Sequence, residues 1–177
     1  MLRTMSDAVD FALLAPVPYM HLDSGIEVAR VTGYVCFGSQ NWTLFKQQID
    51  PRRESEDVPV LFYPSREDAP AELSFKICYL GWYIGHVISD ADKQQDVDDG
   101  HRPPTVDENQ PDSDNPHRTD SDSQRYWTLF WRVRDLERLP DLEHVSIGSL
   151  SSYTTGRKRL NKAPLGPTIV ARPSWIK

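Results

Sequence analysis

Apolar runs in this chain are short, and none reaches the roughly 20 consecutive residues that a membrane-spanning helix needs. No membrane partner is expected. Cysteine is scarce as well: only Cys36 and Cys78 occur, inside the apolar runs VTGYVCFG and SFKICYLGW. Buried free thiols are the expected state, because Cys packs as a small hydrophobe. CxxC, Cys–His and HExxH spacings are missing, so no zinc site, other metal or cofactor is expected. A nucleophile elbow, a phosphate loop and a paired acidic motif are missing too. The five histidines, His21, His86, His101, His117 and His144, are scattered. Cys78 and His86 would stand about 26 Å apart on one strand, at about 3.3 Å per residue. That is too far for a dyad, although Cys36 with His86 stays open. No catalytic residue is assigned, and a non-catalytic binding module is favoured over an enzyme.

Glycine is sparse beside proline, nine against 14, which points to many turns and short elements. The chain of 177 residues fits one domain, 1–177. The opening MLRTMSDAVDFALLAPVPYM lacks the continuous apolar core of a signal peptide, since Asp7, Asp10, Pro16 and Pro18 interrupt it. A cytoplasmic protein is expected.

Charge is present but unevenly placed. The net charge is −6, yet residues 89–125 hold 11 acids and four bases. Residues 151–177 hold six bases and no acid. The acidic stretch is rich in Asp, Ser, Pro, Asn and Gln and has little to bury. It reads as a long, mostly disordered insertion. One role open to it is an arm that covers the basic end and competes with a polyanion. Its DVDDG at 96–100 misses the EF-hand register, because Gly100 falls one position early and Asp107 stands where a bidentate Glu belongs.

Alternation and spacing predict the elements. VARVTGYVCFG (28–38) reads as a strand, and SQNWTLFKQQI as a short helix with Trp42, Phe45 and Ile49 on one face, ended by Asp50-Pro51. VPVLFY (58–63) reads as a strand with Pro59 at an edge or near its start. ELSFKICYLGWYIGHVIS (72–89) reads as one long strand or a bent pair. YWTLFWRVRDL (126–136) places Trp127, Leu129, Trp131 and Val133 on one face. Leu139, Leu142 and Val145 predict a short helix, and GPTIVAR (166–172) a last strand. Five or six strands with one or two short helices point to an α+β protein built on a small, mixed, partly closed β-barrel.

In YLGWYIGHV (79–87), Gly81 and Gly85 lie on one strand face with Tyr83 between them. Glycine inside a strand marks a bulge, a bend or a close approach. A bend around a barrel is the plainer reading, and room for a flat ligand beside Tyr79 or Tyr83 the sharper one. Five tryptophans are many for one core. At least one is expected to line a pocket where its ring stacks on a planar group.

The segments LFYPS (61–65), GWYIGHVISDAD (81–92), YWTLFWRVRDLERLP (126–140) and GPTIVARPSW (166–175) resemble, in that order, strands of the PUA-like superfamily and of its EVE-type domains. The resemblance covers 58–177. Pro64 stands where the family has a histidine, and the acidic insertion is foreign to the pattern. It implies a pseudo-barrel whose pocket accepts a modified base of DNA or RNA flipped from its stack. Ser65 would then lie near the pocket with Tyr63 as a wall, and Trp82, Tyr83, Gly85 and Trp127 are further candidates. Arg157, Lys158, Arg159 and Lys162 in GRKRLNK would contact phosphates. The alternative is a protein–protein interaction module using exposed aromatics and the acidic arm. An uncharacterised enzyme is the second alternative.

Overall fold

β1, Phe11–Pro18, is apolar along its whole length, and its residues on both faces are buried or half-buried. Such a run suits a strand covered on both sides. It lies inside the sheet of a computed structural model that describes residues 9–65, 69–88, 99–103, 128–154 and 158–176. Pro18 leads directly into α1, Tyr19–Thr32, which ends at Gly33 with φ 94°. The strand expected over 28–38 is therefore split. Residues 28–32 finish α1, and only β2, Val35–Ser39, is extended. Burial decides this: Leu22, Gly25 and Ala29 recur at helical spacing and are buried, while Val31 is left 66% exposed. Tertiary packing overrides the strand preference of Val28, Val31 and Thr32.

Helix follows β2, as the spacing predicts, but it does not stop at Asp50-Pro51. A π-helical stretch, Leu44–Ile49, runs on into α2, Asp50–Arg53. Pro51 sits in the first turn of α2, where its missing N–H is tolerated. Leu44, Phe45 and Ile49 are buried, and Trp42 is exposed.

β3 (Val58–Ser65), β5 (Tyr79–Ile88), β6 (Leu129–Arg138) and β8 (Thr168–Ala171) complete a six-stranded sheet of order β2-β6-β5-β3-β1-β8. β1 and β3 run parallel, and the other neighbours are antiparallel. A short pair, β4 (Lys76–Ile77) and β7 (Val145–Ser146), forms a second sheet. β3 is an interior strand rather than an edge. Pro59, its second residue, precedes the stretch paired with β1, which starts at Val60, so that ladder does not need its N–H.

The sheet is open, which corrects the expected partly closed barrel. α1 carries the chain from β1 to the far edge, so β2 pairs with β6 and never meets β8. The helix expected around Leu139, Leu142 and Val145 is replaced by 3₁₀ turns, Asp141–Glu143 and Ile147–Ser149. Leu142 is fully exposed, so the three-residue spacing marks no buried face there.

Alternation along the strands divides the core in two. Leu13, Val60, Phe62, Trp131 and Val133 pack under α1 and the π-helical stretch. Leu14, Leu61, Tyr63 and Val170 pack on the other side with Ile147, Leu150 and Ile176. The pairing of β5 with β6 slips twice, between Leu80 and Trp82 and between Tyr83 and Gly85. At the first slip the extra residue is on β6, where Asp135 holds φ 50°. At the second it is on β5, where Gly85 holds φ 139°, a conformation that side chains oppose. A Cβ at Gly81 would stand 2.5 Å from Val133 Cγ1. The glycines thus sit at two bulges, and the space beside Gly81 is taken by Val133 and Phe62.

Of the acidic segment, 99–103 is described and the rest of 89–125 lies outside the described residues. Asp99–His101 forms a 3₁₀ turn, and the His101 ring stacks on Tyr34 with centroids 3.9 Å apart. His101 Nδ1 lies 3.0 Å from Thr32 Oγ1. This part of the arm is docked on the end of α1, within a segment expected to be mostly disordered. Stacking on an aromatic ring supplies what the polar sequence around it lacks. Among the described residues, no helix is long and apolar enough to cross a membrane.

Candidate ligand cleft

β1 and β3 end side by side, because they are parallel and in register through Pro18 and Ser65. Their carboxyl ends open into a cleft of about 1320 Å³. Crevices at the carboxyl ends of parallel strands are the usual ligand sites of open sheets. Pro16–Pro18 and Tyr63–Ser65 form its base, residues 38–41 at the end of β2 and just after it one side, and 163–167 the other. Phe75 stands at its edge and Trp131 lines it from β6. None of the described lining residues is charged.

Tyr63 is buried, and its hydroxyl donates to the Pro164 carbonyl. That bond ties the 163–167 wall to β3, and burial raises the phenol well above its usual range. Ser39 is buried, and its Oγ accepts the Asn41 N–H at 3.0 Å. Asn41 Oδ1 in turn accepts the Leu44 N–H at 3.2 Å, capping the helix and fixing this side of the cleft. Among the described residues, the Ser39 and Ser65 hydroxyls have no acceptor. Trp131 packs against Phe37, Phe45 and Phe62 and is 1% exposed. Its Nε1–H is buried with no partner among the described residues. Leaving such a donor unpaired costs about 1–3 kcal/mol.

Phe75 is 64% exposed and holds φ 57°, rare for an aromatic residue. Its carbonyl accepts the Ile147 N–H at 3.1 Å, and the β4–β7 pair follows at once. The neighbouring structure therefore holds it in a strained backbone conformation at the mouth of the cleft. Leu165, also lining the cleft, is fully exposed. Lys162 is exposed and directly precedes Ala163 in the wall. Lys158 and Arg159 are exposed on the same loop, tied back by Ser152 N–H to Lys158 O at 2.8 Å and Leu160 N–H to Leu150 O at 3.0 Å. Arg157 lies outside the described residues.

The expected site residues do not all meet. Tyr63 and Ser65 line the cleft. Trp82 is half-buried elsewhere, with the Arg134 and Arg172 guanidinium groups 5.9 and 5.7 Å from its ring centre. Trp127 lies outside the described residues. Tyr83 and Gly85 belong to a separate polar cluster. There the Tyr83 hydroxyl donates to Asp50 Oδ1 at 2.9 Å and lies 2.9 Å from His86 Nδ1. His86 Nδ1 is 3.3 Å from Asp50 Oδ2, and Arg53 Nε donates to Asp50 Oδ1 at 3.0 Å. Burial lowers the His86 pKa from its ordinary value despite the attraction of Asp50; Arg53, Lys46 and Arg132 lower it further. Cys78 is buried without a disulfide, and burial pushes its thiol up to about 11.

Phe75, Trp131 and Ser39 were not singled out from the sequence. Leu73, Phe75 and Ile77 alternate as a strand face would, and only the positive φ at 75 turns the ring outward. Nothing in the local sequence marks Trp131 as a cleft residue.

Comparison of the chain with protein-family models, with curated proteins and with solved structures finds no match in any of the three.

Proposed function

We propose that the cleft binds a planar heterocycle, with a base of single-stranded or flipped-out nucleic acid as the ligand class. The reading is carried by one observation: a strained, exposed Phe75 ring stands at a cleft whose described lining residues, Ser39, Ser65 and Trp131 among them, carry no charge. A base stacked on an exposed aromatic gains about 1–3 kcal/mol, which suits a ring held outward at a cost. Lys162, Lys158 and Arg159 supply the cationic rim for the backbone. A modified base in DNA or RNA is also what the EVE-type resemblance of 58–177 implies.

Short single-stranded oligonucleotides titrated against the protein, followed by tryptophan fluorescence, test this. Saturable binding is expected, weakening with salt by a log–log slope of about 0.7 per neutralised phosphate. Phe75→Ala should weaken binding roughly tenfold, with the fold unchanged because the side chain is exposed. No oligonucleotide binding by the wild-type chain would overturn the proposal. Saturable binding of an apolar peptide instead would favour the protein-partner reading, which the exposed Phe75 and Leu165 at the same mouth motivate.

A further inference from the structure

Ring pairs inside the core are tilted: Trp131 meets Phe37 at 46° and Phe45 at 32°. The His101 ring lies on the half-buried Tyr34 differently, within 5° of parallel and with centroids 3.9 Å apart. That is how a base stacks on an aromatic side chain. The imidazole also makes a hydrogen bond of the kind a base can make. The Thr32 hydroxyl is 2.8 Å from both the Val28 and the Tyr34 carbonyl, and one of them takes its single proton. Thr32 Oγ1 therefore accepts from His101 Nδ1–H at 3.0 Å. The Arg132 guanidinium, 5.4 Å from the Tyr34 ring centre, adds positive charge beside the stack.

His101 closes a three-residue 3₁₀ turn in a polar segment, and the turn stands clear of the body at Gly100, where an added Cβ would touch nothing within 4 Å. Resting on the reading above, we infer that Tyr34 is a second base-stacking platform, occupied in cis by His101, which a bound single strand displaces. Each common base carries an N–H that can replace His101 Nδ1–H at Thr32, so the platform tolerates any sequence. Tyr34 directly precedes β2, whose far end at Ser39 lines the cleft, five residues or about 17 Å away at the strand rise. His101 lowers the apparent affinity, because only molecules with the ring undocked receive a base at Tyr34.

The test uses oligodeoxythymidylate of about ten nucleotides, within the usual span of a single-strand site. His101→Ala removes the resident ring and should bind the strand about fivefold tighter than wild type, the scale of one aromatic stack. In the wild-type chain, proton NMR reads the same event without substitution. The His101 ring signals, shielded by Tyr34 in the free protein, should move downfield as the strand saturates. Ring signals that hold their place at saturation, or an affinity unchanged or weakened in His101→Ala, would overturn this inference and leave the base-binding reading standing. Binding by neither chain would remove both.

Discussion

Two regions of this sheet, the network around Asp50 and the cleft, differ in how their groups are occupied. Around Asp50, the groups satisfy one another: Tyr83, Arg53 and His86 all converge on one carboxylate. The cleft at the ends of β1 and β3 is lined by Ser39, Ser65, Phe75 and Trp131 and, among the described lining residues, by no charged group. The first arrangement pins α2 to β5 across the second bulge. It holds titratable groups in contact, as an active site does, but among the described residues the cleft lies elsewhere. The second has modest chemistry and room for a ligand. A closed network is the signature of scaffolding, and an open cleft edged by an exposed aromatic ring is the signature of a site.

The comparison is broken most directly at Asp50. Asp50→Ala strips the acceptor from both Tyr83 and Arg53 and should cost about 3 kcal/mol of stability. Chemical denaturation should show this while oligonucleotide affinity, measured well below the unfolding transition, stays unchanged. A variant of full stability with impaired binding would reverse the roles assigned to the two clusters.

A smaller effect is expected where cleft and scaffold touch. Tyr63→Phe removes the donor to Pro164 O and should cost about 1 kcal/mol. The loss should appear locally, as faster amide exchange across 163–167 and a severalfold weaker grip on oligonucleotide. Unchanged exchange in that wall would mean the hydroxyl does not hold it.

The mildest effect comes with pH. His86 is held neutral in the fold, with its pKa below the ordinary 6.5, chiefly by burial. Protonation therefore favours the unfolded chain. Stability should be complete above about pH 6.5 and decline as pH falls through the window between that value and the lower folded one. Denaturation midpoints taken across this range should show the decline, and His86→Asn should flatten it. A wild-type midpoint that rises on acidification would show that the Asp50 attraction outweighs burial.

Several features were legible locally. The alternation in TLFWRVRDL assigned the faces of β6, and Leu129, Trp131 and Val133 do share one side of the core. Gly81 and Gly85 announced an irregularity, and each sits at a slip in the pairing. Other features were hidden by their neighbours. FALLAPVP carries three features that obscure a strand, two prolines and no alternation, yet it is interior because both sides of the sheet are covered there. VARVT prefers a strand and finishes a helix, because Ala29 has a place to be buried.

Period and composition alone determined which residues of β6 share a face, that acid gathers in 89–125 and base at the end of the chain, and that the cysteines are buried. Those properties depend on side chains close in sequence, or on their transfer from water, and need no partner to be specified. Strand order, the open rather than closed sheet, and the meeting of Tyr63, Phe75, Trp131 and Pro164 around one cleft were decided only by tertiary structure. They arise from the parallel pairing of β1 with β3 and from contacts as distant as Tyr63 to Pro164. Pairings of that range are settled by competition among all the segments at once, which no local window of sequence contains.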